Sequence, residues 1–437
     1  MSLKLAYIGT GYVGQVDAAI SAEKGHHVIL VDVIPEKVNT INAGKPTIYE
    51  DGLFEIIERN VKEKRLSATI NIAEAIEKTD ISFICVGTPD IGHRIDLSYI
   101  KQAAIEIGKA LAKITHYHVV VVKSTVVPGT TEDVVLPLLE KFSGKKAGTD
   151  FGLCMNPEFL REGVAVEDAI NPDSVVIGSI DQKSKEKVAA IYHWIDPKKL
   201  FFCGIKAAEA IKYAKNSFLA TKITFANEWA NFCETIGVDV KEVMDAIGMD
   251  KRIGPLFLQS GPGYGGSCFP KDLNAIIHAG AMADSRFRIL EKVVAINSIQ
   301  HLRMIKLAKK VLKKRSFDGV RVGILGLSFK ENTDDVRESP SLRLINELVA
   351  ENAEILAYCP AGIPMAKKFL EEMHIRIQYA NTIEEVIEHS EILFIPTPWQ
   401  QFSYILGKTQ SPIIVGHRHF MKDPMLKNVF VLGNHQK

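Results

Sequence analysis

The sequence predicts an α/β protein with two Rossmann-like, doubly wound domains joined by a long central helix and a helical middle domain. Two observations predict the paired domains: strand, glycine turn, helix and strand follow one another at residues 3–33 and again at 320–360. A third is the uninterrupted helical pattern at 205–236 between them. We therefore expect domains at 1–204, 205–305 and 306–437.

The first unit carries a dinucleotide-binding pattern. The apolar strand LKLAYI leads directly into GTGYVG at 9–14, and a helix and a second strand follow, with Asp32 near the end of that strand. Such glycines allow a tight turn, close approach of a pyrophosphate and close helix–strand packing, while the acid binds ribose hydroxyls. The pattern predicts NAD rather than NADP, although Lys37 could tolerate a phosphate. The predicted cofactor residues here are Gly9, Gly11, Tyr12, Val13, Gly14 and Asp32.

Small polar and charged residues follow the next strands. Thr88, Ser124 and Thr125 end two apolar runs, and the best functional candidate among them is Thr125. The loop NPEFLREG follows another strand and adds acidic and basic groups at 158–162. Because ligands of open α/β sheets lie beyond the carboxyl ends of the strands, we expect a site there. Asp17, on the first helix, is interpreted as a solvent-facing charge.

The helical pattern at 205–236 places Lys212 and Asn216 four residues apart, on one face with apolar neighbours. A lysine on a largely buried face needs an anionic partner. The helix is also apolar around much of its circumference, which predicts either a buried spine or a dimer interface.

The stretch GPGYGGSCFPKD at 261–272 places Cys268 after a glycine-rich loop and just before Lys271 and Asp272. Nearby positive charge favours the thiolate, so Cys268 is a candidate nucleophile. A small packing cysteine in a flexible loop is an equally good interpretation of the residue types alone.

The last third repeats the strand–turn–helix pattern without a complete GxGxxG. Lys330 and Arg337 in its turn are candidates for binding a diphosphate, or else are solvent-exposed loop charges.

Composition narrows the class of protein. The formal net charge of +1 gives no whole-chain signal for nucleic acid or an anionic membrane. No signal-peptide pattern or apolar run of membrane length is present, and the six cysteines show no CxxC or zinc-type spacing. We expect a cytoplasmic protein with reduced thiols and no metal.

Taken in order, GTGYVG, KSTVVPGT, NPEFLREG, IKYAKNSF, GPGYGGSCFPKD and GLSFKENTDDVRESP resemble the UDP-glucose/GDP-mannose dehydrogenase family from residue 3 to about 420. The resemblance, closest to the members that oxidise UDP-glucose, implies a four-electron oxidation of a nucleotide-sugar alcohol to a carboxylate, with two NAD and one water. It implies UDP-glucose as substrate and UDP-glucuronate as product, with GDP-mannose or UDP-N-acetylmannosamine as alternative substrates.

The resemblance also implies roles for individual residues. Cys268 would form a thiohemiacetal and then a thioester, and Glu158 would act as general base for hydrolysis. Lys212 and Asn216 would stabilise an oxyanion, Asp272 with Lys212 and a water would remove the first proton, and Thr125 would hold water or the nicotinamide side. The further implied cofactor contacts are Lys37, Thr88, Thr125, Glu162, Lys271 and Arg337. The implied substrate contacts are Glu158, Phe159, Leu160, Arg161, Glu162, Lys212, Asn216, Arg252, Phe257, Leu258, Gln259, Ser260, Gly261, Gly265 and Lys330.

The family further implies a homodimer through the 205–236 helix, with Arg252 reaching the partner's site. One departure concerns the last strand, where family members carry Asp-x-Arg and this chain has Gly416, His417 and Arg418. Two other classes of function remain open at this point. A non-catalytic nucleotide-sugar binder would be expected to lose Cys268, Lys212 or Asp272, and a two-electron 3-hydroxyacid dehydrogenase would need no cysteine.

Overall fold

The computed structural model describes residues 2–420 and 426–434, and the chain divides into two compact units, Met1–Ala214 and Lys215–Lys437. The division falls inside the long central helix. The three domains expected from the sequence therefore stay a prediction, and residues 1, 421–425 and 435–437 of that prediction lie outside the described part of the chain.

The first unit is built on an eight-stranded sheet with the order β3-β2-β1-β4-β5-β6-β7-β8. Its strands are β1 Lys4–Ile8, β2 His27–Val31, β3 Leu66–Thr69, β4 Ile81–Ile84, β5 Val119–Val122, β6 Gly152–Met155, β7 Val175–Ser179 and β8 Leu200–Cys203. All neighbouring strands run parallel except β6 and β7, where Met155 pairs with Gly178 in antiparallel register.

Both faces of this sheet are buried, which explains the continuous apolar runs. In β1, Leu5 and Tyr7 belong to one hydrophobic layer, while Ala6 and Ile8 belong to the other. Helices cover both layers: α1 Tyr12–Glu23, α2 Pro35–Asn42, α3 Leu53–Lys62, α4 Ile72–Lys78, α5 Ser98–Leu111, α6 Leu136–Ser143, α7 Ala165–Ile170 and α8 Gln182–Ile191. A π-helical turn, Thr131–Val135, precedes α6, and a 3₁₀ turn, Pro197–Lys199, precedes β8.

Helix α9, Ile205–Ile236, has the bounds predicted from the sequence. Within the second unit, it leaves large apolar side chains exposed at intervals of seven, four, three and four residues. They are Phe218, Phe225, Trp229, Phe232 and Ile236. This spacing places them along one side of the helix, and we call them the exposed α9 face.

The second unit continues with α10 Val240–Gly248, α11 Phe269–Met282, α12 Arg288–Gln300 and α13 Leu302–Leu312. A six-stranded parallel sheet of order β11-β10-β9-β12-β13-β14 follows. Its elements are β9 Arg321–Leu325, α14 Pro340–Ala350, β10 Glu354–Tyr358, α15 Ile363–Glu372, β11 Gln378–Tyr379, α16 Ile383–His389, β12 Ile392–Ile395, β13 Ile413–Val415 and β14 Val429–Val431, with 3₁₀ turns at Gln400–Ile405 and Arg418–Phe420.

The second sheet has the strand order 3-2-1-4-5-6 of a complete Rossmann fold, counted within its own strands. The first sheet begins with the same order and adds two strands at one edge. The predicted fold class is therefore confirmed. Among the described residues, no helix has the length and apolarity needed to span a membrane.

Candidate functional site

The glycine turn between β1 and α1 is shaped for a dinucleotide. Gly9 has φ +107°, and a Cβ on Gly14 would lie 1.9 Å from the carbonyl oxygen of Gly9. A Cβ on Gly11, in contrast, would meet nothing within 4 Å, and Gly11 begins the helix without a side-chain cap. The turn is thus closed where helix and strand pack and open where a pyrophosphate must approach the helix N-terminus. These residues fit NAD.

Asp32 lies directly after β2 and faces back to this turn. Its carboxylate accepts hydrogen bonds from the backbone N–H of Thr10 at 3.0 Å and of Ile34 at 3.0 Å, and from the Thr10 hydroxyl. Burial would raise the pKa of Asp32, but these hydrogen bonds outweigh burial and hold the pKa below its usual value. Lys37 lies 3.9 Å from the carboxylate. The site therefore carries a fixed negative charge, which suits ribose hydroxyls and repels a 2′-phosphate.

Two of the polar strand ends are joined to each other. The hydroxyl of Thr88 donates to the carbonyl oxygen of Thr125 at 3.0 Å. The Ser124 hydroxyl donates to the carbonyl oxygens of Ile84 and Val86, at 3.1 and 2.7 Å. Ser124 thus links the ends of β4 and β5 by hydrogen bonds. The side chain of Thr125, the next residue, is half-buried.

Lys212 on α9 has the anionic partner that its sequence position required. Its ammonium nitrogen lies 2.7 Å from Oε1 of Glu158 and 2.9 Å from the Glu158 carbonyl oxygen, and both side chains are buried. The other carboxylate oxygen accepts from the backbone N–H of Leu160 at 2.7 Å. Burial would raise the pKa of Glu158, but the Lys212 charge and these hydrogen bonds prevail, so the pKa is lowered. Glu158 is an ionised, firmly held carboxylate.

The interpretation of Asp17 as a solvent-facing charge was wrong. Asp17 lies 3.1 Å from the ammonium nitrogen of Lys123, which directly follows β5 and is buried. Lys123 also donates to Oδ1 of Asn156 at 3.0 Å, and the Tyr192 hydroxyl donates to the same oxygen at 2.5 Å. Sequence reasoning missed this cluster, although a charge inside the apolar helix α1 and a lysine ending a four-valine strand were its signals.

The other predicted residues of the 158–162 loop differ in whether their side chains are already bound to neighbouring residues. Arg161 forms two hydrogen bonds with the Asp168 carboxylate, at 2.6 and 3.0 Å, so its guanidinium is engaged within the first unit. The ring of Phe159 lies 5.6 Å from the Lys212 ammonium, in cation–π range. Glu162 is half-buried, and its role toward the cofactor and the substrate stays a prediction.

In the second unit, Asp272 is held between an amide and an ammonium. Asn216 donates from Nδ2 to Oδ2 of Asp272 at 2.7 Å, and Lys271 donates from Nζ to Oδ1 at 2.7 Å. Asp272 is almost fully buried, whereas Cys268 is half-buried at the N-cap of α11. The Cys268 carbonyl accepts the Asp272 N–H at 2.9 Å, so thiol and carboxylate occupy the first turn of one helix.

The glycines before Cys268 have a packing reason that the sequence did not show. A Cβ on Gly265 would lie 2.3 Å from the Glu338 carbonyl oxygen, and one on Gly266 would lie 2.8 Å from the Phe329 ring. The Gly266 N–H also donates to the Arg337 carbonyl oxygen at 2.9 Å. These two glycines therefore fit the cysteine loop against the loop between β9 and α14. They do not simply make it flexible.

The two candidate diphosphate-binding cations lie on that same β9–α14 loop. Arg337 is bound through two nitrogens to the Asp335 carboxylate, and its side chain is 55% exposed. Lys330 lies with its ammonium 5.8 Å from the Phe329 ring. Their roles toward cofactor and substrate stay predictions.

The predicted substrate segment 257–261 begins with a strained residue and ends in the interior. Phe257 has φ +65°, while Leu258, Ser260 and Gly261 are buried and Gln259 is exposed. Arg252, just before it, has a side chain that is 88% exposed and pairs with its neighbour Asp250. Within the described chain, this guanidinium extends into solvent.

Gly416 and Arg418, at the departure in the last strand, are both buried. Gly416 is closely packed, since a Cβ there would lie 3.1 Å from Pro262. Arg418 takes its carboxylate partner from elsewhere in the second unit: Asp239, at the N-cap of α10, accepts from Nη2 at 2.6 Å and from Nε at 2.9 Å. Across the described residues, no group of His, Cys, Asp and Glu side chains is arranged to hold a metal ion.

The chain matches three family models in order along its length. They are described as the NAD binding domain, the central domain and the UDP binding domain of the UDP-glucose/GDP-mannose dehydrogenase family, and they match residues 3–196, 206–299 and 323–423.

Curated proteins and solved structures agree with these models. The chain is 41% identical to the UDP-glucose 6-dehydrogenase of Haloferax volcanii over 406 residues, 92% of each chain. It is 40% identical to the GDP-mannose 6-dehydrogenase of Azotobacter vinelandii over 81% of this chain and 80% of that one. The structure of a UDP-glucose dehydrogenase from Pyrobaculum islandicum superposes with a TM-score of 0.92 at 36% identity, covering 99% of this chain and 98% of that one. This chain therefore belongs to the UDP-glucose/GDP-mannose dehydrogenase family of NAD-dependent nucleotide-sugar dehydrogenases.

Proposed function

We propose that this protein oxidises UDP-glucose to UDP-glucuronate, consuming two NAD⁺ and one water, through a thioester on Cys268. The observation that carries the proposal is the placement of Cys268 in the first turn of α11 together with Asp272, whose carboxylate is held by Asn216 and Lys271. Cys268 stands at the N-cap of α11, and Lys271 follows three residues later in the same helix turn; in general, a helix N-terminus and a neighbouring cation favour the thiolate. A two-electron alcohol dehydrogenase does not require a nucleophilic thiol.

NAD, when bound, accepts the hydride in each of the two oxidations. The glycine turn and Asp32 would hold it, with Lys37, Thr88, Thr125, Glu162, Lys271 and Arg337 as further proposed contacts. The chain's own residues handle protons and charge. Asp272, with Lys212 and a water, would take the hydroxyl proton in the first oxidation, and the Asn216 amide and Lys212 would stabilise negative charge on the sugar oxygen.

The second oxidation needs the thiol. Cys268 sulfur adds to the aldehyde carbon and forms a thiohemiacetal, which retains the aldehyde on the protein. Loss of a hydride from that carbon to NAD⁺ and of the proton from its hydroxyl to solvent gives the thioester, and water then displaces the sulfur to give the carboxylate and regenerate the thiol. Glu158, lowered in pKa and therefore ionised, would accept the proton of that water.

The choice of UDP-glucose is supported by the match to a UDP binding domain and by the relatives that act on this sugar. Relatives that act on GDP-mannose are nearly as similar, so the sugar must be tested directly. Lys330, residues 257–261 and Gly265 would contact the nucleotide sugar.

The test follows NADH formed per sugar consumed, with UDP-glucose, GDP-mannose and UDP-N-acetylmannosamine in separate assays. We expect two NADH per UDP-glucose and much slower turnover of the other two. Cys268→Ala should abolish uronate formation, while the control Cys203→Ala, another half-buried thiol, should leave it unchanged. One NADH per sugar with free aldehyde in the unmodified enzyme would overturn the covalent mechanism.

We also propose a homodimer formed through the exposed α9 face, with Arg252 of one copy entering the partner's site. Five large apolar side chains along one side of a helix form an exposed apolar patch, and such patches mark interaction surfaces. The solvent-directed guanidinium of Arg252 supports the second part of the proposal.

A further inference from the structure

Three buried amide side chains hold the backbone of the loop that leads to Cys268. Asn227, on α9, accepts the Gly261 N–H at 2.7 Å, and Gln300, on α12, donates to the Gly261 carbonyl at 3.1 Å. Asn297, on α12, accepts the Tyr264 N–H at 2.8 Å and donates to the Tyr264 carbonyl at 3.0 Å. We call Asn227, Asn297 and Gln300 the amide clamp.

The clamp satisfies both polar backbone groups at two points of the loop, as a neighbouring β-strand would. All three amides are 5% exposed or less. Burying an amide is costly unless its hydrogen bonds are made, so each of them favours one loop conformation over all others. Asn297 and Gln300 lie three residues apart on α12 and therefore act from the same side of that helix.

The sequence of the loop is adapted to the clamp. Gly263, between the two held residues, has φ +113°, and a Cβ there would lie 2.8 Å from Oδ1 of Asn297. A side chain at position 263 would thus be strained and would displace the amide. Beyond Tyr264, Gly265 and Gly266 are fixed against the β9–α14 loop, as described above. The backbone from 261 to 266 is consequently fixed almost continuously up to Cys268.

We propose that Asn297 and Gln300 are positioning residues: they fix the position of the Cys268 sulfur relative to the aldehyde when the aldehyde forms. This inference rests on the proposed function. Covalent capture requires sulfur and carbonyl carbon within about 3–3.5 Å, and a displacement of about 1 Å can cost a factor of about 100. The first oxidation does not use the thiol, so a loosened clamp impairs the second oxidation selectively.

The experiment compares Asn297→Ala with a matched control in the first unit. Asn42, which is exposed and is not among the proposed contacts, makes the same pair of hydrogen bonds, accepting from the Ala68 N–H at 2.7 Å and donating to its carbonyl at 2.9 Å. We expect Asn297→Ala to lower kcat for uronate by about 10- to 100-fold. NADH per UDP-glucose should fall from two toward one, with free aldehyde released. Asn42→Ala should retain two NADH per sugar whatever its effect on Tm.

A second readout needs no substrate. The rate at which iodoacetamide alkylates Cys268 should change several-fold in Asn297→Ala and stay unchanged in Asn42→Ala. If Asn297→Ala fails to fold, Gln300→Met takes its place with the same expectations; it keeps the side-chain length and removes the hydrogen bonds of Gln300 to the Gly261 carbonyl and to the Asn231 amide.

The outcomes separate the two proposals. Two NADH per sugar and an unchanged alkylation rate in the clamp variant would overturn the positioning role while leaving the proposed function intact. If instead the unmodified enzyme makes no UDP-glucuronate, the proposed function fails, and an altered alkylation rate would still support the clamp's control of the thiol.

Discussion

The ammonium nitrogen of Lys123 lies 3.1 Å from Oδ2 of Asp17, joining helix α1 to the end of strand β5 inside the first unit. Burial raises the pKa of the Asp17 carboxyl group, and the positive charge of Lys123 opposes this shift. Burial disfavours the charge on Lys123, but Asp17 and other acidic groups around it outweigh that effect and raise its pKa. Lys123 and Asn156 stand two residues before Thr125 and Glu158, so this ion pair supports the two strand ends from which those side chains project.

We predict that Asp17→Asn leaves a buried ammonium without its carboxylate and lowers the free energy of unfolding by about 3 kcal/mol. Urea denaturation measures this loss. The control, Asp245→Asn, removes the exposed pair with Lys241 on α10 and should cost about 0.5 kcal/mol or less. Equal losses in the two variants would contradict a structural role for the buried pair.

The lowered pKa of Glu158 predicts a specific pH dependence. A carboxylate whose pKa is lower in the folded than in the unfolded state adds stability above its unfolded-state pKa of about 4.3, and this stability is lost as the pH falls through the folded-state pKa. We expect Tm to fall less steeply below about pH 5 in Glu158→Gln than in the unmodified protein. Parallel Tm curves would show that Glu158 contributes nothing to acid sensitivity.

Glu158→Gln also tests the proposed hydrolysis step. The glutamine amide cannot accept a proton from water, so hydrolysis of the thioester should slow by about 100-fold or more. The thioester should therefore accumulate. Intact-protein mass spectrometry of the variant incubated with UDP-glucose and NAD would detect the added mass of a UDP-glucuronyl group. A variant that turns over at the original rate with no adduct would exclude Glu158 as the general base.

The fixed charge of Asp32 predicts cofactor preference. In Asp32→Asn the carboxylate that repels a 2′-phosphate is gone, so kcat/KM should fall about 10-fold for NAD and rise for NADP. Steady-state kinetics with each cofactor measure the ratio, and Lys37→Ala serves as a control on the neighbouring cation. An unchanged ratio would mean that Asp32 only supports the turn through Thr10 and Ile34.

The exposed α9 face predicts the assembly. Phe225→Glu together with Phe232→Glu should convert the protein to a monomer in size-exclusion chromatography with light scattering, because charges are costly in an apolar interface. The control, Phe201→Glu, changes an exposed phenylalanine on the edge strand β8 and should leave the mass unchanged. A monomeric unmodified protein, or a double variant of unaltered mass, would contradict the dimer.

The sequence by itself determined the fold class, the bounds of α9 and the family. Local patterns carry this information: glycine spacing after a strand, apolar runs buried on both faces, and helical periodicity over 32 residues. The need of Lys212 for an anionic partner was also apparent, because a lysine on an apolar helix face cannot remain unpaired.

Only the tertiary structure decided which groups meet. Asp17 and Lys123 are 106 residues apart, and Asn297 reaches Tyr264 from another helix, so no local pattern predicts either contact. Likewise, Gly265 and Gly266 suggest flexibility in the sequence, whereas Glu338 and Phe329 leave them no room for a side chain. Contacts between distant segments depend on how the strands and helices pack together. A short stretch of sequence does not determine that packing.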